Sequence, residues 1–80
     1  MTRGELMSLN QHDRIIWWLR QKTKDGKPFR LSPMKAFTKL GITKLSTRIG
    51  ELRRAGYDIS DEWVKPKRGK SSPYKEYWLT

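Results

Sequence analysis

The chain has no cysteine and a single histidine, His12, in its 80 residues. That excludes a disulfide framework and a cysteine-based metal site, and one imidazole cannot assemble a zinc cluster. The lack of thiols also fits a cytoplasmic location. Long apolar runs are absent: the longest, "IIWWL" at residues 15–19, falls far short of the roughly 20 residues that span a bilayer. The opening "MTRGELMSLNQHD" holds no apolar stretch of signal-peptide length, so neither export nor membrane insertion is expected. Acids are scarce, with eight Asp and Glu against eighteen Lys and Arg and a net charge of +10. Such a surplus forecasts a polyanionic partner, and nucleic acid leads the candidates.

Catalytic constellations are missing too. There is no glycine-rich phosphate loop, no carboxylate pair and no metal-ligand spacing. His12 lies beside Asp13, but adjacent positions on a helix diverge and no nucleophile accompanies them. Both read as surface residues of a first helical turn, and the sequence predicts a protein that is not an enzyme and needs no cofactor, metal or small-molecule substrate.

Eighty residues allow one domain with a thin core, burying about 60% of the surface of the unfolded chain. Residues 1–9 carry little patterning and are expected to be a flexible terminus, with residues 10–80 forming the domain. Asn10 can cap a helix over about 10–23, with Asp13 near its positive end and Ile15, Trp18 and Leu19 as the core stripe. Trp17, about 100° from Trp18, is then semi-exposed. "KDGKPF" has turn chemistry, and "FRL" before Ser32 suits one short strand. Ser32 as cap and Pro33 at the first position start a helix over 33–40, with Met34, Phe37 and Leu40 on one side and Gly41 at its end.

A further helix follows almost at once. Ile42, Leu45, Ile49 and Leu52 are spaced as a core stripe requires, and Gly56 closes the segment. Two short helices joined at a glycine-marked bend make a helix-turn-helix. Beyond Gly56, "YDISDEWVK" and "YKEYWLT" are rich in aromatic and β-branched residues and flank the basic loop "PKRGKSSP", which predicts a β-hairpin. Trp63 and Tyr77 are expected to join the core.

These motifs carry a resemblance. "SPMKAFTKLGITKLSTRIGELRRAGYDISDEWV…YKEYWL" resembles the small winged helix-turn-helix proteins of bacteriophages and prophages. Their pattern has a Ser/Thr-Pro helix start, a Leu-Gly turn, an Arg-Ile…Leu-Arg-Arg-Ala-Gly helix, a Trp-Val strand and a closing Tyr-x-Leu. The matching features are Ser32-Pro33, Leu40-Gly41-Ile42, Arg48-Ile49, Leu52 to Gly56, Trp63-Val64 and Tyr77 with Leu79; Trp78 is an insertion in that ending. The likeness covers about residues 11–79 and implies an α+β winged helix-turn-helix, three helices and a C-terminal β-hairpin wing, that binds DNA. Fold alone does not fix function.

On a helical wheel the face opposite Ile49 and Leu45 holds Thr43, Lys44, Thr47, Glu51 and Arg54, flanked by Arg48. In a helix-turn-helix the second helix enters the major groove, where Lys donates to guanine, Thr offers a hydroxyl or methyl and a carboxylate accepts from cytosine. Thr43, Lys44, Thr47 and Glu51 are therefore the candidate base readers. Arg48, Arg54 and the hairpin bases Lys65, Lys67, Arg68, Lys70 and Lys75 are the candidate phosphate contacts. A solvated face tied by ion pairs among Lys44, Arg48 and Glu51 is the competing interpretation. Gly50 in mid-helix costs about 0.5–1 kcal/mol relative to Ala, which implies a close neighbour, either another helix in the core or the DNA backbone.

Trp17 and Trp78 stand apart from the core pattern and form a candidate protein interface, for a homodimer or another protein. The leading function is double-stranded DNA binding as a small phage or prophage transcriptional regulator or architectural factor. The alternative is a winged helix that docks on a host or phage protein. RNA binding is a weaker third, since no exposed-sheet RNA motif is present.

Overall fold

The computed structural model describes residues 2–66 and 72–80. Four helices lead into a C-terminal hairpin: α1 (Arg3–Ser8), α2 (Gln11–Leu19), α3 (Pro33–Leu40), α4 (Leu45–Arg54), β1 (Ile59–Val64) and β2 (Tyr74–Leu79). The α+β class and the helix-turn-helix followed by a hairpin agree with the sequence.

Local chemistry accounts for most of the boundaries. Asn10 accepts from the Asp13 backbone N–H at 2.8 Å and starts α2. Ser32 accepts from Lys35 N–H at 3.2 Å with Pro33 in the first turn, and Gly41, at φ 67°, ends α3. Helix α2 stops at Leu19 rather than near residue 23, because the chain beyond it turns back on itself: Phe29 N–H donates to Gln21 O and Thr23 N–H to Lys27 O. The short strand expected at 29–31 reduces to one bridging residue. Leu31 exchanges both backbone bonds with Tyr77, at 2.8 and 2.9 Å, and so fixes the hairpin to the helical layer.

The N-terminal nine residues, expected to be a flexible tail, carry α1. Thr2 accepts from Glu5 N–H at 3.2 Å while its hydroxyl meets the Glu5 carboxylate at 3.1 Å, a reciprocal cap that needs no apolar periodicity. Leu6 enters the core. Arg14 then ties α1 down by donating to Leu9 O at 2.8 Å, Met7 O at 3.2 Å and, from the end of α3, Leu40 O at 2.9 Å. One guanidinium thus satisfies carbonyls at two helix ends that no intrahelical donor reaches.

The core is Leu6, Ile15, Ile16, Leu19, Leu31, Ala36, Leu40, Ile42, Leu45, Ile49, Leu52, Ile59 and Tyr77. Three expectations fail here. Ile16 takes the place expected of Trp18, which sits half-buried, tilted against Phe29 and donating its indole N–H to Arg30 O at 3.0 Å. On α3 the buried residues are Ala36 and Leu40, while Met34 and Phe37 are 70% and 59% exposed, because the eight-residue helix packs through its small residue. Trp63 is 67% exposed: it shares a strand face with buried Ile59, but four residues further out, where the hairpin has passed the helices.

Candidate nucleic-acid interface

Helix α4 presents three distinct sides. Leu45, Ile49 and Leu52 are buried, as is Ile42 just ahead of the helix. Arg48 and Glu51 form the side turned to α2. Arg48 donates to Gln11 Oε1 at 3.1 Å and to Glu51 Oε1 at 2.6 Å, and His12 Nε2 lies 3.0 Å from the same carboxylate oxygen. The hydrogen bond from His12, and after it the hydrogen bond and charge of Arg48, hold the Glu51 carboxyl below its usual range. On the opposite side Arg53 donates twice to Ile59 O, at 3.0 and 2.8 Å, and to Asp61 Oδ2 at 2.7 Å, joining α4 to the hairpin.

Between those sides lies an open stripe. At 100° per residue Thr47 and Arg54 stand roughly opposite the buried line, with Gly50 and then Ser46 beside them toward Arg53. Thr47, Ser46 and Arg54 are exposed. Thr43 and Lys44 are exposed as well, but they sit in the turn before α4 rather than inside its first half, because the helix begins at Leu45. Lys44 occupies the cap position without a side-chain cap bond, so its side chain satisfies none of the first N–H groups of α4.

The electrostatics follow from this division. The two acids beside α4, Glu51 and Asp61, are each engaged by an arginine of the helix. Lys75 adds a second cation at Asp61, Nζ to Oδ1 3.7 Å, and Arg53 with Lys75 keeps the Asp61 carboxyl below its ordinary range. Arg54 makes no ion pair among the described residues, and the open stripe carries uncompensated positive charge. Of the named base readers, Thr43, Lys44 and Thr47 are thus exposed, the first two in the turn before α4 and the third on its open stripe, while Glu51 is half-buried and paired. Arg48 is likewise engaged, by Glu51 within the helix and by Gln11 of α2.

Of the two close neighbours expected at Gly50, the packed helix is absent: a Cβ at this position meets nothing within 4 Å among the described residues. The sequence offers no signal for the real partners of the helix edges: Gln11 and His12 on the Arg48–Glu51 side and Ile59 with Asp61 on the Arg53 side become neighbours only through tertiary packing.

On the hairpin, register places Ile59, Asp61 and Trp63 with Leu79, Tyr77 and Lys75 on the inner face, and Ser60, Glu62 and Val64 with Trp78, Glu76 and Tyr74 on the outer face. Lys65 is exposed at the end of β1. The expected phosphate contacts Lys67, Arg68 and Lys70 lie outside the described residues. Trp17 and Trp78 have unrelated surroundings. Trp17 is half-buried in a shallow groove with Asp13, Arg20, Gln21 and Tyr57. Trp78 is half-buried on the outer face with the Arg30 guanidinium 4.4 Å from its ring centre.

Among the described residues no cluster of His, Asp or Glu is arranged to hold a metal ion, and no helix is long and apolar enough to cross a membrane. The family model described as a winged helix-turn-helix domain matches residues 10–80. Comparison with curated proteins and with solved structures gives no match.

Proposed function

The chain belongs to the winged helix-turn-helix family, a DNA-binding fold, and from that membership we propose that it is a double-stranded DNA-binding protein that inserts α4 into the major groove. The observation that supports this most is the exposed polar surface at α4: Thr47 and Arg54 stand opposite the buried line, exposed Thr43 and Lys44 lie in the turn before them, and Glu51 and Asp61 are each paired with an arginine of the helix. Thr43, Lys44 and Thr47 read base edges. Arg54, Lys65 and Lys75, with Lys67, Arg68 and Lys70 of the hairpin loop, contact phosphates. Glu51 serves better as the orienting partner of Arg48 and His12 than as an acceptor for cytosine. The resemblance to phage and prophage proteins makes a small transcriptional regulator or architectural factor in a bacterial cytoplasm the natural setting.

A mobility-shift series over salt concentration tests this. Several phosphate contacts give a steep fall of log affinity with log salt, about 0.9 per phosphate neutralised. Replacing Lys67, Arg68 and Lys70 by Ala should flatten that slope and weaken all duplexes alike. A salt-independent affinity contradicts the electrostatic mechanism.

Docking on a protein is the second reading, and one observation favours it: Met34 and Phe37 are exposed on neighbouring turns of α3. They suit an apolar contact better than the half-buried Trp17 or the guanidinium-covered Trp78. Light scattering at high concentration, on the wild type and on Phe37→Ser, separates a homodimer through this patch from a monomer.

A further inference from the structure

Trp63 is the most exposed aromatic among the described residues, and nothing in the fold requires it there. Its cross-strand partner on the inner hairpin face is Lys75, whose Nζ lies 5.3 Å from the indole ring centre. Lys75 is in turn held by Asp61, and Asp61 by Arg53 of α4. The ring and the ammonium therefore form a braced pair rather than two loose surface side chains. The bracing chain also fixes where the pair sits. Arg53 marks the hairpin side of α4, and on the helical wheel Ser46 and Gly50 fall between that side and the outward line of Thr47 and Arg54. A ligand lying along the open stripe would have the inner hairpin face as its flank.

The charge around the ring selects the occupant. Lys75 and Lys65 lie close to Trp63 in register and sequence, Arg53 is two links away, and the one acid on this face, Asp61, is doubly paired. Glu62 points to the other face, where Arg30 engages it. An apolar plate edged by cations matches a deoxyribose flanked by phosphates, which presents apolar C–H faces between negative charges. The geometry points to Trp63 and Lys75 as a joint contact for the sugar-phosphate backbone of duplex DNA beside α4, the indole packing on a deoxyribose and the ammonium on its phosphate. This rests on the duplex-binding reading above and adds an apolar component to it.

An apolar contact and an ionic one respond differently to salt, which makes the pair testable on the full chain. Affinity for a duplex recovered from a randomised pool is measured over a range of salt for the wild type, Trp63→Ala, Trp63→Phe and Lys75→Ala. Trp63→Ala should bind on the order of tenfold more weakly at every salt concentration with an unchanged slope, as loss of buried aromatic area predicts. Trp63→Phe should lose less. Lys75→Ala should reduce the slope by about 0.9. Independently of any loss of stability in the variants, the wild type labelled with 5-fluorotryptophan should show the Trp63 fluorine resonance, assigned from Trp63→Phe, shifting on addition of duplex and becoming shielded from a soluble paramagnet.

If the wild type binds duplex while Trp63→Ala matches it and the resonance stays put, the contact does not exist, although duplex binding stands. A resonance that shifts with the single strand but not with the duplex also overturns it, in favour of stacking on unpaired bases. A wild type with no affinity for duplex removes the duplex-binding reading and this contact together.

Discussion

His12 Nε2 and Glu51 Oε1 lie 3.0 Å apart, linking the first turn of α2 to the middle of α4 across 39 positions of sequence. With Arg48 on the same oxygen, the carboxylate orients the arginine and leaves the outward stripe of α4 without an acid. The Glu51 carboxyl is lowered in the folded state. Its contribution to stability is accordingly complete above the unfolded value of about 4.3 and is lost as pH falls through the depressed folded midpoint, because the unfolded chain binds the proton first. Carboxyl titration by NMR should give a Glu51 midpoint below that range, and Arg48→Met should raise it. A midpoint at the ordinary glutamate value would contradict the arrangement.

Arg30 resolves a like-charge conflict on the outer hairpin face. Glu62 and Glu76 are directly opposed in register, and Arg30 donates to both, with its guanidinium over Trp78. Opposed carboxylates destabilise a sheet unless bridged. The three groups are partly solvent-exposed, so screening keeps the effect modest: Arg30→Met should cost about 1 kcal/mol, a fall in Tm of about 4–8 °C for a domain this small. Adding Glu76→Gln should recover part of the loss, and thermal melts of the single and double variants check both.

Gly50→Ala separates folding from binding by sign. The added methyl meets open space and removes the helical penalty of glycine, so the fold should gain about 0.5–1 kcal/mol in denaturant unfolding. The same methyl projects beside the line of Thr47 and Arg54, and duplex affinity should fall if the backbone of α4 approaches DNA there. A variant that is both more stable and equally tight would assign Gly50 no part in recognition.

Much of this molecule is legible in its sequence, and the division has a physical basis. Helix α3 and the starts of α2 and α3 follow from Asn10, Ser32, Pro33 and Gly41, whose effects are local. The α4 stripe follows from the spacing of Ile42, Leu45, Ile49 and Leu52. Helix α1 escapes notice because its stability comes from Arg14 and a reciprocal cap rather than from periodicity. Trp63 is misplaced because hydrophobicity ranks a tryptophan as core, whereas the hairpin carries it beyond the reach of the helices. At the candidate interface the composition of α4 was readable, but not which of its polar residues are free: the pairing of Glu51 and Arg48 with His12 and Gln11 depends on how α2 crosses α4.

The central claim is that the open stripe at the start of α4 reads bases. Selection from a randomised duplex pool followed by sequencing, run in parallel on the wild type, Lys44→Ala, Thr47→Ala and Arg54→Ala, tests it most directly. The wild type should yield a consensus. Lys44→Ala and Thr47→Ala should each change the preferred base at one or two positions and lose about 1–3 kcal/mol on the original site alone, while Arg54→Ala weakens every duplex and leaves the consensus intact. If Thr43, Lys44 and Thr47 can all be replaced in a folded protein with no change in the selected sequence, α4 is not the reading element.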